Sequence, residues 1–317
     1  MRSGVVIFLF IITTAIGVSF YDFSYETDIA LEPNPIGQVN LMVDLEGEVE
    51  EFLPAITFNT LTPKQANLVV IRAKSADRPK ATFQEKEIDF FETLENHWVG
   101  FLGIDVKARP GSGILLIDFA GASERKYEIS VLEQLWPVTE LVLSEELESQ
   151  GYTPAGVATG IQENENVVVR EAVSSYRKEP YFKDKFIDPV PGRINVGFFG
   201  NIRKSGGTSL QHLGVDLDAK KGDEVSAVNN GKVVLAREDF PNYGKTVVID
   251  HGLGIFSLYL HLSEIKVLAG HSVNRGEIIG LVGNTGYSLD PHLHFSIKVQ
   301  GANLDPLKFI DTVNLSL

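Results

Sequence analysis

Apolar residues recur at every second position through much of this chain, the period of a strand with one face buried. Val39, Leu41, Val43 and Leu45 alternate with other positions in this way. Leu68-Val69-Val70-Ile71 and Ile129-Ser130-Val131 are further short apolar runs. Phe101 to Val106 and Ile114 to Phe119 flank Arg109-Pro110-Gly111-Ser112-Gly113, a turn signal between two strands. Short strands separated by Gly/Pro turns predict an immunoglobulin-like β-sandwich over residues 30–135. The pattern changes over residues 136–185, a partly helical connector. Ser144 is placed to cap a short helix through Gln150, stopped by Gly151, and a second helix is expected from Asn166 to Arg177, ending before Pro180. From residue 186 to 317 the pattern returns to strands. Glu224 to Val228 and Lys232 to Arg237 flank Asn229-Asn230-Gly231, which predicts a hairpin because Asn and Gly tolerate positive φ. Thr246 to Asp250, Phe256 to Leu260 and Glu277 to Val282 follow, and the reading is β throughout, as a curved antiparallel sheet. The fold class is therefore mostly β, with two domains joined by a connector.

The first residues differ from all of these. Met1-Arg2-Ser3 is a short positive head, and Val5 to Phe20 is an apolar run ending in the small residues Gly17 and Ser19, placed two apart. This predicts a secretory signal over residues 1–19, cut near Ser19; an uncleaved anchor is the alternative. Both readings place the bulk of the chain outside the cytoplasm.

Composition changes the picture in two ways. The 317 residues hold no cysteine, which excludes disulfides, thiolate metal sites and a cysteine nucleophile. Residues 186–317 hold 12 Lys/Arg and 13 Asp/Glu; set against 28 and 42 overall, that leaves 16 and 29 in residues 1–185, a net of −13. No basic patch marks a nucleic-acid surface, and the acidic sign argues against one. The acidic half reads first as a solubilising surface; a second reading has it cover a groove in the other half until a regulatory partner protein displaces it.

The candidate chemistry is carried by histidines. His292 and His294 are two apart in Pro291-His292-Leu293-His294-Phe295, so on a strand both imidazoles face one way. An isolated pair of this kind is more readily a feature of a solvated strand. His212 and Asp216 lie four apart in an extended segment and share a face, and His261 ends the apolar run through Tyr259 and Leu260. Two imidazoles and one carboxylate make a common catalytic zinc set with a fourth position open, which leaves two further histidines to handle protons. His251 follows a strand in Asp-His-Gly and reads as turn structure; His271 reads as an exposed loop residue, and His97 as a packing or surface residue.

These residues resemble the M23 (LytM/lysostaphin-type) zinc metallopeptidases. His212-x-x-x-Asp216, His261 in Tyr-x-His-Leu and His292-x-His294 in Pro-His-Leu-His carry the likeness. Phe199-Gly200, Gly231 with Val233-Val234, Asp250-His251-Gly252, Gly276-x-x-Ile279-Gly280, Gly283-x-Thr285-Gly286 and Asp305-Pro306 stand in the family's order, over roughly residues 186–311. Leu289-Asp290 departs from the small pair usual there. The resemblance implies one Zn2+ per chain on His212, Asp216 and His294, with His292 as general base and His261 as stabiliser of the oxyanion. Tyr259, Asn284 and Tyr287 are candidates to line the groove. The implied substrate is a peptide cross-link or stem peptide of peptidoglycan, cut by an endopeptidase. The implied alternative is a catalytically silent activator of a cell-wall amidase. A biotin- or lipoyl-carrier domain shares some short-strand patterns but needs a lysine at a hairpin tip, and Lys232 begins a strand instead. The family often carries a domain before the peptidase, which implies a spacer, targeting or regulatory module in residues 30–135.

Export makes the first testable point. N-terminal sequencing of protein recovered outside the cytoplasm should find a start near Phe20; cytosolic protein beginning at Met1 or Arg2 would contradict the signal reading.

Overall fold

The computed structural model describes residues 54–120, 124–141, 143–205 and 207–317, together with two two-residue strands, Thr13–Thr14 and Gly17–Val18. Those four residues apart, the signal expected over 1–19 lies outside the described residues, as does the alternating segment Val39–Leu45. No helix among the described residues is long and apolar enough to cross a membrane.

Eight strands between Ala55 and Val131 form two antiparallel sheets. One runs Ala55–Phe58, Leu68–Lys74, His97–Gly103, Phe90–Leu94; the other runs Arg125–Val131, Gly111–Asp118, Lys80–Phe83, Lys86–Ile88. In chain order these are the A-B-E-D and G-F-C-C′ sheets of an immunoglobulin-like sandwich. The Pro110 turn joins His97–Gly103 to Gly111–Asp118 and so carries the chain from one sheet to the other. Between the sheets lie Val69, Ile71, Leu115, Ile117 and Ile129.

The run Leu68-Val69-Val70-Ile71 does not alternate because both of its faces are covered. Val69 and Ile71 point into the sandwich, whereas Leu68 and Val70, with Val99 and Phe101 from the neighbouring strand, belong to the core of the C-terminal domain. Aromatic rings continue this contact. Phe101 packs on Phe91, Phe91 on Phe182, Phe182 on Phe186, and Phe186 on both Phe309 and His251, with centroids 5.1–5.9 Å apart. The sandwich, the end of the connector and the C-terminal domain thus share one apolar interior.

The C-terminal domain is built on a large antiparallel sheet in the order Asn195–Gly197, Val215–Asp218, His292–Val299, Ile255–Leu262, Gly244–Asp250, Gly231–Phe240, Ser272–Val273. Ala302–Leu304 adds to His292–Val299. The expected hairpin at Asn229-Asn230-Gly231 does not form. Glu224–Ser226 pairs with Ile278–Leu281 in a separate small sheet, and Gly231–Phe240 pairs with Gly244–Asp250. The turn residues do turn the chain, but Asn229 is buried and spends its side-chain amide on the Asp184 carbonyl, which holds the turn between sheets. Nor is the domain β throughout. Helix Pro306–Asn314 follows Asp305, whose carboxylate accepts from the amides of Leu307 and Lys308 at 3.2 and 3.3 Å. Asp-Pro is a legible cap and first helical position.

In the connector, Ser144 caps helix Glu145–Ser149, its hydroxyl accepting from Leu147 N at 3.2 Å. The second helix starts earlier than Asn166 and stops before Arg177. It runs as Pro154–Thr159, a π-helical stretch Gly160–Glu165, and Asn166–Ala172. The wider π turn, often found beside functional sites, ends on Glu165, which is buried against the C-terminal domain.

Removing a ring from the shared interior should be costly. Phe101→Ala is expected to lower stability by about 3–5 kcal/mol, read by chemical denaturation of the full chain; a loss below about 1 kcal/mol, the size of a minor contact, would show that the sandwich does not share the core.

Candidate active site

His294 and His292 stand on the same face of strand His292–Val299, which pairs with Val215–Asp218 so that Asp216 faces His294 directly. His212 enters from the segment just before that strand. Two glycines leave room: a Cβ on Gly214 would lie 2.4 Å from His294 Nε2, and one on Gly197 would lie 2.1 Å from Asp216 Oδ2. The result is three ligand-type atoms in mutual contact. His212 Nε2 is 3.0 Å from Asp216 Oδ1 and 3.0 Å from His294 Nδ1, and His294 Nδ1 is 2.9 Å from Asp216 Oδ1.

Tautomers decide what that contact means. His212 Nδ1 lies 3.0 Å from the Phe198 carbonyl, which can only accept, so Nδ1 holds the proton and Nε2 turns a lone pair inward. His294 has Ser296 Oγ 3.0 Å from Nε2, leaving Nδ1 to face inward. Ser296 Oγ can donate to or accept from Nε2, so His294 Nδ1 either donates to Asp216 Oδ1 or, with Nε2 protonated, joins His212 Nε2 and Asp216 Oδ1 as a third acceptor. A set of three acceptors is satisfied by a shared cation, and two imidazoles with a carboxylate suit a divalent transition metal. His212, Asp216 and His294 could hold a metal ion among the described residues.

The electrostatics agree. Burial alone would raise the Asp216 carboxyl, but His212 and His294 beside it outweigh burial and hold it well below the usual carboxylate range. Burial pushes His294 down to about 4, partly opposed by its hydrogen bond to Asp216. His261 is pushed down to about 3, first by burial and then by His292 and His294. Both rings are therefore neutral near pH 7.

His261 and His292 stand beside this cluster. Their ring centroids are 5.1 Å apart, and that of His261 is 6.0 Å from that of His294. His261 donates from Nδ1 to the Thr285 carbonyl at 2.8 Å, and His292 from Nδ1 to the Asp290 carbonyl at 2.7 Å. Each then offers a free Nε2, and that of His292 is 3.5 Å from Asp216 Oδ1. The Leu289-Asp290 pair that departs from the family pattern thus supplies the carbonyl that orients His292. His261 has φ +63°, a left-handed conformation rare outside glycine and worth about 1–3 kcal/mol of strain. It breaks the alternation, so Leu260 and His261 both line the same groove.

The groove encloses about 550 Å³. Tyr287 lines it as expected, with Arg203, whose guanidinium is 3.6 Å from Asp216 Oδ2. Tyr259 does not: it is fully buried, and its hydroxyl accepts from Val228 N at 3.0 Å. Asn284 is not among the lining residues; its amide reaches the Leu289 carbonyl at 3.5 Å. One wall, unforeseen from sequence, is the connector helix, through Ile161, Gln162, Asn166 and Val169. That helix is latched by Glu165, which accepts from Asn242 N at 2.6 Å and Tyr243 N at 3.1 Å, while Tyr243 O accepts from His261 N at 3.0 Å.

Residues 210–306 match the family model described as Peptidase family M23. The C-terminal domain belongs to peptidase family M23. Among relatives, this M23 domain is 42% identical over 97 residues to the peptidoglycan DD-endopeptidase ShyA of Vibrio cholerae, covering 31% of this chain and 22% of that one. It is 38% identical over 97 residues to the murein hydrolase activator EnvC of Escherichia coli, covering 31% and 23%. A crystal structure of an M23 peptidase from Pseudomonas aeruginosa aligns with a TM-score of 0.55 at 26% identity, over 80% of this chain and 96% of that one. The chain spans about a fifth of the length of the first of these relatives.

The remaining histidines lie apart from the cluster. His97 and His271 are exposed. His251, just after strand Gly244–Asp250, is fully buried: Nδ1 donates to the Asn230 carbonyl at 2.8 Å, and Nε2 lies 2.7 Å from Ser257 Oγ, itself 3.0 Å from the Tyr259 hydroxyl. Burial pushes His251 down to about 4. The unfolded chain therefore takes up this proton first, below the ordinary value of about 6.5. The stability held by neutral His251 is full above pH 6.5 and is lost as pH falls toward 4, on the order of 3 kcal/mol in all. Unfolding free energies measured from pH 7 to 4 should show a shallower acid slope for His251→Gln than for the native chain; parallel slopes would remove the assignment.

Proposed function

We propose that this chain is a secreted zinc-dependent endopeptidase that hydrolyses peptide cross-links or stem peptides of peptidoglycan. The observation that carries the reading is the convergence of His212, Asp216 and His294 beside two further imidazoles with free Nε2 atoms, in one groove. His212, Asp216 and His294 would hold the zinc, which supplies Lewis acidity toward the scissile carbonyl and makes water nucleophilic near neutral pH.

The protein's own groups do the rest. His292, with Nδ1 committed to Asp290, takes a proton from the attacking water at Nε2 and delivers it to the leaving amine. Asp216, 3.5 Å from that Nε2, favours the imidazolium that forms. His261 is buried, so carrying a proton is costly in the resting site. It becomes favourable only when negative charge develops opposite Nε2, which confines its stabilisation to the transition state. The floor and helix wall exclude water and orient an extended peptide. The apolar run Val5–Phe20 supports export to the wall.

A second reading is a catalytically silent activator of a wall amidase. The likeness to EnvC keeps it open, and the connector helix along the groove suits a chain that answers to a protein partner. The intact five-residue set favours the enzyme.

The two strand histidines separate the readings. His294→Ala removes one of three ligands and should abolish both bound zinc and hydrolysis of muropeptides. His292→Ala leaves the three ligands intact, so zinc should stay near one per chain while turnover falls by ~100- to 10,000-fold. Zinc by mass spectrometry and product analysis, with and without a chelator, provide the check. Reversed zinc behaviour of the two variants would exchange their roles, and a native chain that holds zinc yet leaves every muropeptide intact would favour the activator.

A further inference from the structure

The face that carries His292 and His294 continues along the same strand to Ser296 and Lys298, since alternate residues share a face. Four residues separate His294 from Lys298, so Lys298 stands about 13 Å along the strand from the metal-type cluster. Its side chain lines the groove together with Lys107, which comes from the sandwich. The sandwich loop is tied in place there. Asp105 Oδ2 accepts from Asn303 N at 2.7 Å and from Asn303 Nδ2 at 3.0 Å, Asp105 Oδ1 accepts from Lys107 N at 2.8 Å, and Val106 N donates to Asn303 O at 3.2 Å.

The Asp105 carboxylate is thus taken up by amide donors and makes no ion pair within 4.0 Å with either lysine. Lys298 donates to Asn303 Oδ1. An ammonium has three donors, and that bond uses one. Burial lowers Lys298 to about 8; Asp105 opposes the shift, and Lys107 and Arg170 add to it. Lys298 therefore stays mostly charged near pH 7, with Asp105 the one carboxylate acting on it and Lys107 a second cation lining the groove. A half-buried ammonium with spare donors, in a groove shaped for an extended chain, is complementary to an anion.

We infer that Lys107 and Lys298 form a subsite for a carboxylate of the peptide substrate, and that the sandwich thereby contributes to substrate selection. The identity of the ligand rests on the peptidoglycan reading above. An extended peptide held at the cluster reaches the lysines with a group about four residues away. Stem peptides are rich in free carboxylates, so this subsite would discriminate acidic from amidated stems.

Calorimetric binding of a diaminopimelate-containing stem tetrapeptide, with its carboxylates free or amidated, tests this on the full chain without requiring turnover. The free acid should bind about 10- to 100-fold more tightly, the scale of hydrogen bonds to a charged group. Lys298→Gln should erase most of that preference, and Lys107→Gln, on an exposed side chain that does not threaten folding, should reduce it. Equal affinity for the two peptides, binding of neither, or a preference that survives both substitutions would overturn the subsite. Hydrolysis followed in parallel keeps the two ideas apart. A carboxylate preference lost in Lys298→Gln, with no cleavage of either peptide, leaves the subsite standing and removes the peptidase reading. Cleavage of both at equal rate and affinity does the reverse.

Discussion

Two imidazole nitrogens and a carboxylate oxygen held within 3.0 Å of one another form an arrangement that a protein does not adopt without cause. With Nε2 of His294 protonated these atoms present lone pairs to one another, and burial removes the water that would separate them. The surroundings hold them there. The Phe198 carbonyl sets the His212 proton outward, the pairing of two strands places Asp216 opposite His294, and two glycines leave the side chains room. A cation at the centre would turn that repulsion into coordination. The rest of the site is arranged around that centre, including the two imidazoles whose outer nitrogens are occupied by backbone carbonyls.

The sandwich and connector take part in the groove. The sandwich contributes one face of a strand pair to the C-terminal core and a lysine to the groove, and the connector helix forms a wall. Glu165 ties that wall to Asn242 and Tyr243, and Tyr243 holds the backbone of His261. Movement of the helix would therefore act on the one catalytic candidate in a left-handed conformation. A protein contact on the connector has a short physical route to the chemistry.

The predicted changes at Phe101, His251, His292 and His294 test separate parts of this arrangement, and they differ in how far the sequence alone announced them. Strand parity put His292 and His294 on one face, and spacing put His212 and Asp216 on another, and the fold brings all four together with His261 in one groove. The Ser144 cap and a β-sandwich were legible from residue types with strong local preferences, although Ala55–Phe58, Lys80–Phe83, Lys86–Ile88 and Phe90–Leu94 were not singled out. The helix after Asp305-Pro306 was equally legible and was passed over in favour of a uniform β reading.

Local pattern determined which segments are strands, which side chains share a face, and which residue types could bind a metal, because these follow from backbone periodicity and side-chain chemistry. Tertiary structure alone decided the rest. Asn229-Asn230-Gly231 turns the chain but joins two sheets, because strand partners are chosen by distant residues. Leu68-Val69-Val70-Ile71 reads as a buried run whether its second face meets another sheet or another domain. Tyr259 was placed beside the groove by sequence proximity, yet the left-handed backbone at His261 puts that ring on the face of Leu260 and leaves Tyr259 buried on the other face. The tautomers of His212, His261 and His292 are set by the carbonyl groups of Phe198, Thr285 and Asp290. A carbonyl is the same in every residue, so nothing in the sequence could mark the three that matter.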